Sequence, residues 1–181
     1  MEVVKAPDVR LRIKTKQVKK INSGLIKILK DMIRLTKSFK DPEGVGLAST
    51  QVGLDESFFV VKNVVYSKKQ GQKDSKFISV VNPKLLNSSK TTKEYFEGCL
   101  SIPNMWGEVK RATSIKVSYL DTAGKTISVS LKGIMAWIFQ HEMDHLNGIL
   151  FSDRVLQQKG KFYKYTGKDK TGTDTFEEVA I

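Results

Sequence analysis

Gln140-His141-Glu142-Met143-Asp144-His145 holds both histidines of the chain, four residues apart, with a glutamate directly after the first. On an α-helix, residues i and i+4 stand one above the other on the same face. Two imidazoles so placed can reach one metal ion, and Glu142 then lies beside the ion's open position, where a carboxylate handles a proton. A single histidine on an apolar helical stripe is usually a satisfied core residue. Two at metal spacing, with Glu142 between them, point instead to a buried metal. Ile134, Ile138, His141 and His145 recur at i, i+4, i+7 and i+11, so the spacing predicts a helix from about 134 to 146 with the imidazoles on its apolar side. Gly133 breaks the chain before it and Gly148 stops it.

A catalytic site of this type takes three protein ligands and keeps a fourth position for water. In one protease pattern a histidine follows six residues after the second, but Phe151 stands there. Another class takes a glutamate from a later helix. Downstream only Glu177 and Glu178 remain, in a tail without helical pattern. The remaining candidate is Cys99, the one cysteine, in Glu97-Gly98-Cys99-Leu100-Ser101. A free cysteine is often no more than a buried apolar residue. This one sits between a glycine and a leucine shortly before Pro103, where an extended edge would present its thiol. A thiolate with two imidazoles suits iron as well as zinc.

The bulk numbers bound the remaining possibilities. The chain has 181 residues, enough for one domain with a real core, and is 40% hydrophobic and 28% charged, as in globular proteins. Its net charge of +12 comes mainly from lysine. That charge gives a solvated surface or attraction to a polyanion such as ribosomal RNA. Aromatic residues are not interleaved with the lysines, which argues against base-stacking readout. One cysteine excludes an intramolecular disulfide and suits a reducing compartment, so a cytoplasmic protein is expected, or an organellar one that has lost a transit peptide. No apolar run is long enough to span a membrane.

Along the chain, Pro7-Asp8 opens a turn and a short arm to Arg12. Asn22 or Ser23 caps an amphipathic helix that carries Leu25, Ile28, Leu29, Met32 and Ile33 and ends near Asp41-Pro42. The run 44–51 is rich in small residues, yet it lacks the third glycine of a dinucleotide-binding turn. Strands are expected at 58–61, at 64–66 and at 77–81, the last stopped by Asn82-Pro83, with a loop over 67–76. Residues 115–119 and 127–131 alternate cleanly about the turn 121–124, which predicts a hairpin. Beyond Val155, short strands at 162–165 and 176–181 are expected rather than a terminal helix.

Three motifs resemble those of the peptide deformylase family: Gly44-Val45-Gly46-Leu47-Ala48-Ser49-Thr50-Gln51, Glu97-Gly98-Cys99-Leu100-Ser101 and Gln140-His141-Glu142-Met143-Asp144-His145. The opening Ala6-Pro7-Asp8-Val9-Arg10-Leu11-Arg12 is also similar, so the likeness covers about 1–154. The resemblance implies an α+β fold, with antiparallel sheets packed around a central metal-binding helix, an N-terminal amphipathic helix and a strand-type C-terminal tail. Residues 1–154 would be the catalytic domain and 155–181 a tail of the same domain. It implies that Cys99, His141 and His145 hold Fe2+, with Zn2+, Ni2+ or Co2+ able to substitute. Glu142 would be general base and acid. Gln51 and the Leu100 N–H would hydrogen-bond the formyl oxygen. Gly46 and Gly98 would bind the substrate backbone as an added strand, and Val45, Ile134, Trp137 and Ile138 would line the methionine pocket. The implied partner is an N-formylmethionyl nascent peptide; the basic surface allows ribosome contact, no membrane is expected, and a monomer is the default.

Some positions depart from the family pattern. Ser49 replaces a usual alanine, Trp137 is bulkier than expected, and the tail is unlike the long terminal helix of the best-known members. Two other readings compete. A zinc peptidase would cleave unformylated peptides, and it lacks its usual third ligand here. A basic ribosome-binding protein without activity would be expected to have lost Glu142 or a ligand, and all are present.

Overall fold

The computed structural model describes residues 1–64 and 76–180. The loop expected over 67–76 and the strand over 64–66 fall almost wholly outside these residues. After a short 3-10 turn at Val9–Arg12 comes helix α1, Ser23–Ser38. Strands β1 (Gly46–Ala48), β2 (Phe58–Lys62), β3 (Phe77–Ser88), β4 (Thr92–Cys99), β5 (Ile102–Ala112), β6 (Ser114–Leu120) and β7 (Thr126–Lys132) follow. Helices α2 (Ile134–Leu146) and α3 (Phe151–Gln158) precede the closing strands β8 (Phe162–Lys168) and β9 (Asp174–Val179). The strands form two antiparallel sheets, ordered β1-β2-β3-β6-β7 and β4-β5-β8-β9.

The first sheet lies between α1 and α2, and strand β2 shows why. Successive side chains of a strand face opposite ways. Phe58 and Val60 pack with Leu25, Leu29 and Met32 of α1, while Phe59 and Val61 pack with Ala136, Ile138 and Phe139 of α2. A strand covered on both faces needs an unbroken apolar run, and Phe58-Phe59-Val60-Val61 supplies one, all fully buried. At the start of α1, the Asn22 side chain accepts the Leu25 N–H at 3.0 Å. The expected hairpin is β6–β7, in register from Ser114↔Lys132 to Leu120↔Thr126.

Two local expectations are corrected. Strand β3 does not stop at Asn82-Pro83 but continues to Ser88. A register shift between Val81 and Lys84 lifts the proline out of the ladder, so its missing N–H leaves no gap. Asn82, with φ of 50°, fixes that bulge by bonding both the N–H and the carbonyl of Val18. The second correction is α3, which occupies 151–158 where no helix is expected. It buries only Phe151 and Val155, an i,i+4 pair too short to register as periodicity.

The second sheet is tied to the helices by a buried charge network. Arg111 on β5 donates to both oxygens of Glu97 on β4, from Nε at 2.7 Å and Nη2 at 2.9 Å. Its Nη1 also bonds Asp144 on α2. Arg154 on α3 holds the same aspartate, Nη2 to Oδ1 at 2.5 Å. Burial raises the Glu97 carboxyl, but hydrogen bonds from Arg111 and His141 outweigh it and hold the group at about 2.

Arg111→Met should therefore destabilise strongly, because it takes the guanidinium from fully buried Glu97 and leaves Asp144 with Arg154 alone. A loss of about 3–5 kcal/mol is expected from urea unfolding. The sign of the acid response also follows. Glu97 sits below its ordinary value of 4.5 when folded, so its contribution is complete above that pH and is lost as pH falls toward 2. Urea midpoints measured down that range should fall, and less steeply in Glu97→Gln.

Candidate metal centre

Helix α2 carries both histidines, and their rings stand 5.0 Å apart between centroids. Cys99 is the last residue of β4, delivered to the helix by the network just described. Its Sγ lies 3.3 Å from His145 Nε2. One ligand atom from each of Cys99, His141 and His145 falls within 4.8 Å of the others, which is the compass of a single coordination sphere. The structure thus brings together the three residues that sequence reasoning proposed as ligands.

The donor set fits a divalent cation electrostatically. Burial works against a Cys99 thiolate, yet the neighbouring His145 and His141 reverse that and lower the thiol well below its usual range. Burial likewise disfavours charge on His141, and Cys99 and Glu97 together overturn it, raising the imidazole well above its usual range. The two shifts are two sides of one attraction, a thiolate facing a protonated imidazole. A divalent ion would supply the positive charge there in place of the proton. The fourth group is Glu142, whose Oε2 is buried and has no hydrogen-bond partner among the described residues. Burial pushes its carboxyl up to about 7. It is placed to take a proton from a molecule entering beside the ligands.

Supporting groups surround the ligands. Glu97 Oε2 accepts from His141 Nδ1 at 2.9 Å, which leaves Nε2 for a metal. Trp137 Nε1 donates to the other oxygen of Glu97 at 2.9 Å, with its ring stacked on Tyr95 at 5.0 Å. The bulky Trp137 therefore belongs to the support of a ligand as well as to the pocket wall. Gln51 is nearly fully buried in the 3-10 turn that follows β1. Its Oε1 accepts the Ala48 N–H at 2.8 Å, so its Nε2 points as a donor toward Ser101 Oγ and Cys99 Sγ. Gly46 leaves room for the acid. A Cβ built there would lie 2.2 Å from Glu142 Oε1.

These groups open onto a cavity of about 700 Å³ lined by Val45, Gly46, Gln51, Gly98, Leu100, Trp137 and Ile138 together with Cys99, His141 and Glu142. Ile134 is the exception among the residues expected to bind substrate; His145 also stays behind the lining, 1% exposed. Ile134 is 45% exposed on the first turn of α2 and lies outside the cavity lining. Its i,i+4 relation to Ile138 places it one turn beyond the end of the pocket. Sequence reasoning missed Glu97, Arg111 and Asp144. Glu97 had a usable signal, since two residues before Cys99 on one strand means the same face. Arg111 had none, because its partners are distant in sequence.

The family model for polypeptide deformylase matches residues 1–161. A peptide deformylase of Mesorhizobium japonicum is 36% identical over 168 residues, 91% of this chain and 91% of that one. The crystal structure of peptide deformylase from Thermotoga maritima superposes with a TM-score of 0.73 at 36% identity, covering 84% of this chain and 95% of that one. The Synechococcus elongatus peptide deformylase, solved in complex with actinonin, gives 0.75 at 32% identity over 85% and 79%. The match spans most of the chain, includes the strands and helix that carry Cys99, His141 and His145, and is close in both sequence and shape; the chain belongs to the polypeptide deformylase family.

Proposed function

We propose that this protein removes the formyl group from the N-terminal formylmethionine of newly made polypeptides and releases formate. One observation carries the reading: a Cys/His/His donor set with a buried, unpartnered glutamate oxygen beside it and an amide donor aimed into the same cavity.

Cys99 Sγ and one ring nitrogen each of His141 and His145 hold the metal, which we read as Fe2+, with Zn2+, Ni2+ or Co2+ able to replace it. A thiolate with two imidazoles suits iron as well as zinc, and the preference for iron follows the family resemblance. A bound divalent ion supplies Lewis acidity, acidifying water and polarising the carbonyl oxygen. Glu142 takes the water proton at Oε2 and later returns it to the leaving amine. Gln51 Nε2 and the Leu100 N–H donate to the formyl oxygen as negative charge develops there. Because Gln51 is locked through Ala48, its donor is oriented before substrate arrives.

Substrate alignment rests on sheet edges. β1 is the outermost strand of the first sheet and β4 that of the second. Gly46 and Gly98, on those strands, flank the cavity, and an extended peptide there can add as a strand. Val45, Trp137 and Ile138 then receive the methionine side chain. We assign catalysis to residues 1–154 and regard 155–181 as a tail of the same domain. Helix α3 crosses that boundary and β8 pairs with β5, which supports a single unit. The charge of +12 is compatible with work near the ribosome, the lone thiol suits the cytoplasm, and a monomer is the default reading. Among the described residues no helix is long and apolar enough to cross a membrane.

The test is formate release from formyl-Met-Ala-Ser by protein loaded anaerobically with iron, with Met-Ala-Ser beside it. Release from the first and no cleavage of the second is the expected outcome; cleavage of unformylated peptide would favour a peptidase. Glu142→Ala should lower kcat by roughly 10²–10⁴-fold while metal analysis still finds the ion bound. Cys99→Ser should instead lower metal content itself. Gly46→Ala should cut activity with the ion retained, since its methyl group displaces Glu142.

A further inference from the structure

We propose that the β8–β9 hairpin is the outer wall of the substrate cleft and that Tyr165 on it is a specificity-determining residue for the peptide side chains that follow the methionine. The proposal rests on the deformylase reading and extends it to a segment to which sequence reasoning gave no role.

Strand register puts the evidence on one face. Gly98 pairs with Trp106, Trp106 with Tyr163, and Tyr165 with Phe176, so these five residues share one side of the second sheet. The opposite side carries Val109 and Phe162, which pack on Phe151 and Val155 of α3. The shared side is an aromatic row. Trp106 and Phe176 are 5.5 Å apart between ring centroids, and Phe176 and Tyr165 are 5.7 Å apart.

The row begins beside Cys99 and ends in the cavity lining. The Trp106 ring lies over Gly98, 2.9 Å from where a Cβ would be. Tyr165 and Asp174 then line the same cavity as His141 and Glu142. Lys40, Asp41 and Pro42, from the segment after α1, form a second part of the same wall lining. Lys168 joins the two parts: its Nζ is 2.6 Å from Asp174 Oδ1 and 3.2 Å from Asp41 Oδ2. The hairpin is thus tied to that segment rather than hanging free of it.

The size of the cavity calls for more than one residue. About 700 Å³ is in the range that holds a whole drug-sized ligand. The pocket of Val45, Trp137 and Ile138 takes one side chain, and an extended peptide advances about 3.3 Å per residue toward the outer wall. Lys168 already pairs both Asp41 and Asp174, so what the wall offers is mainly aromatic surface. It should favour an apolar or aromatic side chain.

The experiment compares kcat/KM for formyl-Met-Ala-Phe with that for formyl-Met. Tyr165→Ala should lower the ratio about five-fold, the size of one lost aromatic contact. Tyr165→Lys should lower it similarly, and Tyr165→Phe should retain it. Lys170→Ala, on the hairpin turn outside the cavity lining, should leave it unchanged. An unchanged ratio in both Tyr165→Ala and Tyr165→Lys, or an equal loss on both substrates, overturns the proposal. If the unaltered protein releases no formate from either substrate, the deformylase reading fails instead. The wall is then judged by calorimetry with Met-Ala-Phe, whose affinity should drop in Tyr165→Ala and whose unchanged affinity would overturn it.

Discussion

The paired hydrogen bonds between Arg111 and Glu97 are the constraint on which the site depends. They hold a carboxylate fully buried at the inner face of the second sheet, where an unpaired charge would not persist. Glu97 can then face two ways at once, toward Arg111 and toward His141 and Trp137. Through Asp144 the same guanidinium reaches α2, and through Arg154 it reaches α3. Four elements are therefore fixed relative to one another by charge-assisted bonds whose geometry is directional. Apolar packing alone would hold the sheet and helix together, but it would leave the His141 ring free to turn.

The second organising fact is that the chemistry sits where two sheets present their outermost strands. Cys99 comes from the end of β4, while the glutamate is accommodated by Gly46 on β1. The two contributions meet over α2, which supplies the imidazoles and the acid. Small residues at Gly46 and Gly98 are required for opposite reasons: one leaves room for Glu142, the other for the Trp106 ring. Both are packing constraints, and both keep backbone bare along the cleft.

Much of this was legible in the chain. The His141–His145 spacing gave the helix and the metal, and exhaustion of other ligands led to Cys99. The unbroken Phe58–Val61 run and the alternation of β6 and β7 carried their own burial patterns. The remainder depends on relations between distant segments. Arg111 reads as one more surface cation until β4 and β5 are paired. Helix α3 is eight residues long, so its two buried positions carry too little periodicity to show. Strand β3 contains a proline that normally ends a strand, and the bulge that excuses it is built from Asn82 and the distant Val18. Ile134 follows the helical stripe faithfully but falls beyond the pocket, because periodicity gives a face and not a depth.

The open edge of β1 has a consequence for timing. An edge strand can only welcome a guest whose own N–H and C=O groups are uncommitted. A polypeptide whose first residues have already entered a helix or a sheet offers none, and its terminus is spatially pinned as well. A cleft that binds its peptide in this proposed way would select by conformational state as much as by chemical structure. Under that proposed mode, processing would run in competition with maturation of the host protein, and slow-folding or late-ordering N-termini would keep the opportunity longest.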